Sequence, residues 1–121
     1  MFGRQYDLVE TFGSIMRLYH NPRCSKSRQA RNLLSERGIE FEEIRYLDSG
    51  VHPEDVELLS TIDGIIRVSD LDSDTVIDFG DAKVVAELIL SNPRLLQRPI
   101  LISNGVAVIG RPPENILTLL P

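Results

Sequence analysis

The dipeptide Asn104-Gly105 restricts this chain more tightly than any other feature of its sequence. It separates two short apolar runs, Ile100–Ser103 and Val106–Ile109. Both positions of a two-residue hairpin turn need positive φ, which Asn and Gly adopt most readily. An antiparallel hairpin is therefore expected near the C-terminal end. Further upstream, residues 15–19 read as a short buried strand that Asn21-Pro22 ends in a loop. From Ser25 the pattern turns helical, with Ala30, Leu33 and Leu34 at i, i+3 and i+4, and Gly38 supplies a left-handed stop. Residues 39–47, with Phe41, Ile44 and Tyr46, read as a second strand. Two strands joined by a crossover helix make a parallel, right-handed βαβ unit.

The middle of the chain reads as helical. Pro53 suits a first helical position, Glu54 and Asp55 suit the positive end of the dipole, and Val56, Leu59 and Ile62 supply an apolar stripe. Residues 68–81 carry Asp70, Asp72, Asp74, Asp78 and Asp81 with no basic residue, the pattern of a solvated loop. A helix near 81–91 follows, with Val84, Val85, Leu88 and Ile89 on one face, and Asn92-Pro93 ends it. Pro112 and Pro113 open a closing helix whose apolar face is Ile116, Leu117 and Leu120. A βαβ unit, a helical insertion over about 52–92 and a ββα ending predict an α/β fold: a mixed sheet of the thioredoxin/glutaredoxin kind with helices on its faces. Residues 1–14 follow neither period and read as an N-terminal arm or an artificial remnant, which leaves 15–121 as one domain.

Composition narrows the function. A chain of 121 residues, 42% of them hydrophobic, can bury a core without a disulfide or metal staple, and its single cysteine rules out an internal disulfide. No apolar run nears the ~20 residues a membrane helix needs, and no signal peptide is evident, so a reducing cytoplasm is the expected location. Thirteen basic against 18 acidic residues give a net charge of −5, which speaks against binding nucleic acid or a membrane surface. Yet residues 17–31 hold Arg17, Arg23, Lys26, Arg28 and Arg31 and no acidic residue. The lone cysteine, Cys24, lies inside this basic island.

Cys24 sits between a strand end and a helix start, where unpaired backbone N–H groups and the helix dipole favour thiolate over thiol. His20, in the same loop, could lower the thiol pKa by charge or by a hydrogen bond to sulfur, and Ser27 could donate to the thiolate from the first turn. The plain alternatives are an inert small hydrophobe at position 24 and an ordinary helix-start serine at 27. Basic side chains at a helix N-terminus oppose its dipole unless an anion answers them, so the cluster points to a phosphate-like oxyanion. Counting excludes two motifs. A phosphatase-type loop needs arginine six residues after the nucleophile, where Ala30 stands, and a dithiol motif needs a second cysteine where Ser27 stands. If Cys24 turns over by redox chemistry, an external thiol must resolve it. One cysteine with His20 and His52 lacks metal-ligand spacing, and no nucleotide-binding glycine pattern occurs.

The run Tyr-His-Asn-Pro-x-Cys-x-x-Ser-Arg at 19–28 resembles the active-site loop of the thioredoxin-like, glutathione- and glutaredoxin-dependent arsenate reductases of the ArsC type. The resemblance continues through Tyr46-Leu47, Ile66-Arg67, Asn92-Pro93, Arg98-Pro99-Ile100 and Gly110-Arg111-Pro112, over about residues 16–120. It implies Cys24 as nucleophile, His20 as the group lowering its pKa, Ser27 as thiolate donor, and Arg67, Arg98 and Arg111 as oxyanion-binding arginines. It also implies a cis peptide before Pro99 beside the site. Implied with these are reduction of arsenate to arsenite, no bound cofactor, glutathione as co-substrate and glutaredoxin as partner. Taken alone, Arg67 beside the acidic loop could equally form a salt bridge, and Arg98 and Arg111 could be exposed strand-end residues. The Asn-Pro-Arg-Cys-Ser-Lys-Ser loop is closer to a less studied branch, which keeps two other functions open: a Spx-like regulator that binds RNA polymerase, and a glutathione-dependent thiol oxidoreductase with another substrate.

Overall fold

In the computed structural model, which describes residues 15–72 and 74–120, strand β1 (Met16–Tyr19) lies inside a four-stranded sheet of order β2-β1-β3-β4. β2 (Phe41–Ile44) runs parallel to β1 with Ile44 opposite Tyr19, and β3 (Ile100–Ser103) runs antiparallel with Ile100 opposite Tyr19. β4 (Val106–Ile109) completes the hairpin with β3. Its turn is the expected one, with φ of 52° at Asn104 and 78° at Gly105. Residues 1–14, expected as an arm or remnant, lie outside the described residues.

The crossover between β1 and β2 is helix α1 (Ser25–Glu36). It stops where Gly38 takes φ of 69° and the Ile39 N–H returns to the Leu34 carbonyl. Because side chains alternate across a strand, Leu18 and Leu101 face one layer and Tyr19, Ile100 and Ile102 the other. The first layer is Ala30 and Leu34 of α1 with Ile116 of a 3-10 helix over Pro113–Leu119. The second is built from α3 (Pro53–Leu59) and α4 (Ala82–Ser91), which bring Val56, Leu59, Val85 and Ile89. Every residue of β3 is buried, as covering both faces of the sheet requires. Each fully buried aliphatic side chain contributes about 1.5–3 kcal/mol.

Three expectations need correction. The second strand ends at Ile44, and Tyr46 opens a short helix, α2 (Tyr46–Ser49), in which the Gly50 N–H bonds the Tyr46 carbonyl. The stripe of α3 is shorter than read, because Ile62 falls in the turn after it. The closing helix is of 3-10 type. The acidic stretch is indeed solvated: Asp70, Asp72, Asp74, Asp78 and Asp81 are all exposed, and Val68–Asp70 forms a 3-10 turn. Asp81 caps α4 by accepting the Lys83 N–H.

The strand directions decide where chemistry can gather. The C-terminal ends of β1, β2 and β4 and the N-terminal end of β3 all lie at one end of the sheet. The chain leaves those ends toward Cys24, Tyr46 and Arg111, and enters β3 from Arg98.

Candidate active site

Cys24 is the residue that caps α1, with extended φ of −96° and ψ of 123°. Asn21 fixes the loop before it, its carbonyl accepting the Cys24 N–H at 3.0 Å and its side-chain oxygen accepting the Arg23 N–H at 2.9 Å. No regular capping bond closes on the sulfur, so the helix acts on it through the field of its free N–H groups. Burial pushes the Cys24 thiol up, but the Ser27 N–H, the Arg98 guanidinium and the Lys26 N–H together outweigh it and hold the thiol below its ordinary value. Cys24 as a residue is half-buried.

His20 and Ser27 are found close by but turned to each other. The His20 N–H bonds the Ile44 carbonyl at 2.9 Å, which fixes the residue beyond the end of β1, and its Nδ1 lies 2.7 Å from Ser27 Oγ. Ser27 Oγ also accepts the Asn21 N–H at 3.0 Å. Both residues are almost fully buried. Burial is the main cause that lowers the His20 pKa, and Arg31, Arg45 and Arg28 add to it against the pull of Glu43, so the ring is neutral near pH 7. Of the two routes the sequence left open for His20, charge and a hydrogen bond to sulfur, charge is the one that burial opposes. Ser27 acts on the sulfur through its backbone N–H, while its hydroxyl accepts from Asn21 and shares a hydrogen bond with His20 Nδ1 whose direction follows the His20 tautomer. The His20–Ser27 pair fixes the loop that carries Cys24.

The three arginines come from separate segments, and Arg98 is the one whose side chain acts on Cys24. Its Nε is buried without a hydrogen-bond partner among the described residues. The Arg98–Pro99 peptide is cis, as the resemblance implied, and so is Arg111–Pro112. Arg111 donates from Nη1 to the Arg98 carbonyl at 3.0 Å, while the Gly110 N–H bonds the Pro99 carbonyl at 2.8 Å. Arg67 is brought alongside by two backbone bonds, Arg67 N–H to the Leu95 carbonyl and Gln97 N–H to the Ile65 carbonyl, each 2.7 Å. Its side chain donates to Asp70 at 2.8 Å and to Gln97 Oε1 at 3.1 Å. The salt-bridge alternative for Arg67 is thus present, and the Arg67 hydrogen bond holds the Asp70 carboxyl below the usual carboxylate range. The basic island supplies less than its sequence suggested. Arg31 pairs with Glu43 at 2.7 Å and Arg28 donates to the Pro22 carbonyl at 2.9 Å.

Sequence reasoning missed one support and one group. Gln97 joins Asp70 in holding Arg67, and nothing local in the sequence marks Gln97. Tyr46 is fully buried, and its hydroxyl has no hydrogen-bond partner among the described residues, the Asn21 amide being near it without bonding geometry. Burial pushes its phenol above the ordinary value, and the charges of Arg98, Cys24 and Arg67 all act on it. The signal that could have found it is topological, because Tyr46 leaves β2 at the strand end that Cys24 follows in β1. A cavity of about 600 Å³ elsewhere is lined by Ile62, Ile65, Phe79 and Val85 and not by Cys24, Arg98 or Arg111. Among the described residues no three His, Cys, Asp or Glu side chains gather as metal ligands. No helix there is long and apolar enough to cross a membrane.

A sequence model of the ArsC family matches residues 19–119. An arsenate reductase of Neisseria meningitidis serogroup B is 40% identical over 121 residues, covering 87% of this chain and 97% of that protein. The global transcriptional regulator Spx of Streptococcus agalactiae serotype V is 32% identical over 112 residues, covering 86% of this chain and 82% of that protein. A solved arsenate reductase structure from Vibrio cholerae matches with a TM-score of 0.71 and 31% identity, covering 89% of this chain and 99% of that one. The mixed four-stranded sheet with helices on its faces is the thioredoxin-like arrangement expected from the sequence.

Proposed function

Because the chain belongs to the ArsC family, we propose that it reduces arsenate to arsenite with Cys24 as its nucleophile. The observation that carries this reading is a half-buried cysteine at the start of α1 with Arg98 beside it, where helix N–H groups and the guanidinium hold the thiol below its ordinary value. A thiolate stabilised by helix N–H groups and a guanidinium can attack an electrophile, and the same guanidinium neutralises the anion that bears it. The relatives named arsenate reductase support the choice of arsenic.

In the proposed cycle the Cys24 thiolate attacks the arsenic of an arsenate held by Arg98, Arg111 and Arg67. An As–O bond breaks as the S–As bond forms, and the departing oxygen takes up protons to leave as water. Glutathione thiolate then attacks the Cys24 sulfur. The electron pair of the S–As bond passes to arsenic, reducing As(V) to As(III), and Cys24 is left in a mixed disulfide with glutathione. A glutaredoxin thiol attacks the glutathione sulfur and restores the Cys24 thiolate. No resident cofactor takes part, and such thiol partners fit a reducing compartment such as the cytoplasm. His20 and Ser27 act as positioning residues for the loop, and Ser27 adds its N–H to the thiolate.

The test couples arsenate reduction to NADPH consumption through glutathione, glutaredoxin and glutathione reductase. Wild-type protein is expected to consume NADPH only when arsenate is present, and Cys24→Ser to consume none. Arsenate turnover by the serine variant would overturn the nucleophile assignment. The likeness to Spx favours a second reading, a regulator that binds RNA polymerase. Capture of the polymerase α subunit by a protein without arsenate turnover would select it.

A further inference from the structure

We propose that Tyr46 is a further anion-contacting residue of this site, its hydroxyl donating a hydrogen bond to an oxygen of the tetrahedral anion held beside Cys24. The inference rests on the oxyanion reading above and extends it to a group that the arginines do not supply.

The hydroxyl of Tyr46 is buried and has no partner among the described residues, and the same is true of Arg98 Nε. Buried donors are rarely left unpaired, and the rare cases call for a functional reason or a missing acceptor. Both orphaned donors belong to the sheet end that carries Cys24: Tyr46 follows the C-terminal end of β2, and Arg98 precedes the N-terminal end of β3, each strand flanking the end of β1 that leads to Cys24. An anion with several acceptor oxygens would satisfy both. Among the described residues no side chain bonds the Tyr46 hydroxyl. The ring rests against Tyr19, with centroids 6.3 Å apart and planes inclined by 43°. Tyr19 spends its hydroxyl on Asp55 at 2.6 Å and on the His52 N–H at 3.1 Å. The Asn21 side-chain oxygen accepts the Arg23 N–H, and the Asn21 amide lies near the Tyr46 hydroxyl without forming a hydrogen bond to it. Burial keeps the Tyr46 phenol protonated at neutral pH, so it serves as a neutral donor rather than as a base. Such a donor adds direction to the charge that the guanidinium groups bring.

The experiment alkylates Cys24 with iodoacetamide in wild-type and Tyr46→Phe proteins, across pH, with arsenate, phosphate or sulfate at constant ionic strength. A bound anion shields the sulfur, so the protection curve gives an affinity for each anion. Tyr46→Phe is expected to bind each anion roughly tenfold more weakly. Its thiol pKa is expected to stay unchanged, and its thermal midpoint to equal or exceed the wild-type value, because an unpaired buried hydroxyl has been removed. An unchanged protection curve overturns the proposal, whether the thiol pKa moves, which would assign the hydroxyl to the thiolate, or the thermal midpoint falls, which would mark it as packing. A second measurement needs no variant: anion binding to the wild-type protein should shift a tyrosine absorption band, and its absence would also count against the proposal. Turnover is read separately. Anion protection that depends on Tyr46, without arsenate turnover, would end the reductase reading and leave this one standing. A wild-type protein that none of the three anions protects would end both.

Discussion

At the residue scale the central question is which groups set the charge on Cys24. The loop was legible because capping a helix is a local property, readable from a strand end, Asn21-Pro22 and the start of a helical period. The partners were less so. A four-residue separation placed His20 near the sulfur, but burial decides its charge and the His20–Ser27 bond decides its direction. Arg67, Arg98 and Arg111 emerged only through the family resemblance, since no local pattern separates an anion-binding arginine from a surface one. Two outcomes follow from the depressed thiol. First, the rate of Cys24 alkylation against pH should give an apparent pKa below the ordinary ~8.5, and Arg98→Lys should move it upward and weaken oxyanion binding, because lysine lacks the planar fork. A profile centred on the ordinary thiol value would refute the electrostatic account. Second, the folded thiol loses its proton at lower pH than the unfolded one. Between those two pKa values the unfolded chain binds more protons, so stability rises with pH there and is level above. The difference between wild-type and Cys24→Ser urea midpoints should climb with pH through that window, and a flat difference would deny it.

At the scale of elements, the hairpin was the most legible because two adjacent residues specify its turn by themselves. Gly105, at φ of 78°, has nothing within 4 Å of where a Cβ would stand, so the strain of any substitution there is purely conformational. A branched side chain in the left-handed region costs about 1–2 kcal/mol. Gly105→Val should lower unfolding free energy by about that amount in urea titrations, with Cys24 reactivity unchanged. A loss near zero would show that the turn does not hold this geometry in solution. The second strand was read too long for a definable reason. Ile44 and Tyr46 are both buried and two apart, which imitates strand alternation, but Arg45 leaves extended geometry with ψ of 82° and its carbonyl accepts the N–H groups of Asp48 and Ser49. Side-chain period cannot detect that backbone choice. In the closing segment, too few residues pack inward to separate a 3-10 repeat from an α repeat, and both place Ile116 in the core.

For the whole molecule, the sheet is shared by two cores, and what joins the helical insertion to the central strand was invisible in the sequence. Glu54 and Asp55 read together as acidic residues at a helix start, yet the structure exposes Glu54 and leaves Asp55 only 2% exposed. Asp55 receives Arg17 through Nε at 3.0 Å and again through Nη2, along with the Tyr19 hydroxyl at 2.6 Å. Arg17 and Tyr19 belong to β1 and Asp55 to α3, so one carboxylate ties the strand that leads to Cys24 to the layer behind it. A contact spanning 38 residues leaves no periodic trace. Replacing Asp55 with Asn keeps the shape but removes the charge, leaving a partly buried guanidinium and a buried phenol with one weak acceptor. Breaking a buried pair from one side costs about 3–5 kcal/mol, and the partial exposure of Arg17 puts this case near about 3. Because Tyr19, Ile100 and Ile102 of the sheet pack in the same core as Leu59 and Ile89, the loss should appear as one earlier urea transition. A biphasic curve would show that the insertion folds apart from the sheet. An unshifted midpoint would show that water, and not Asp55, solvates Arg17.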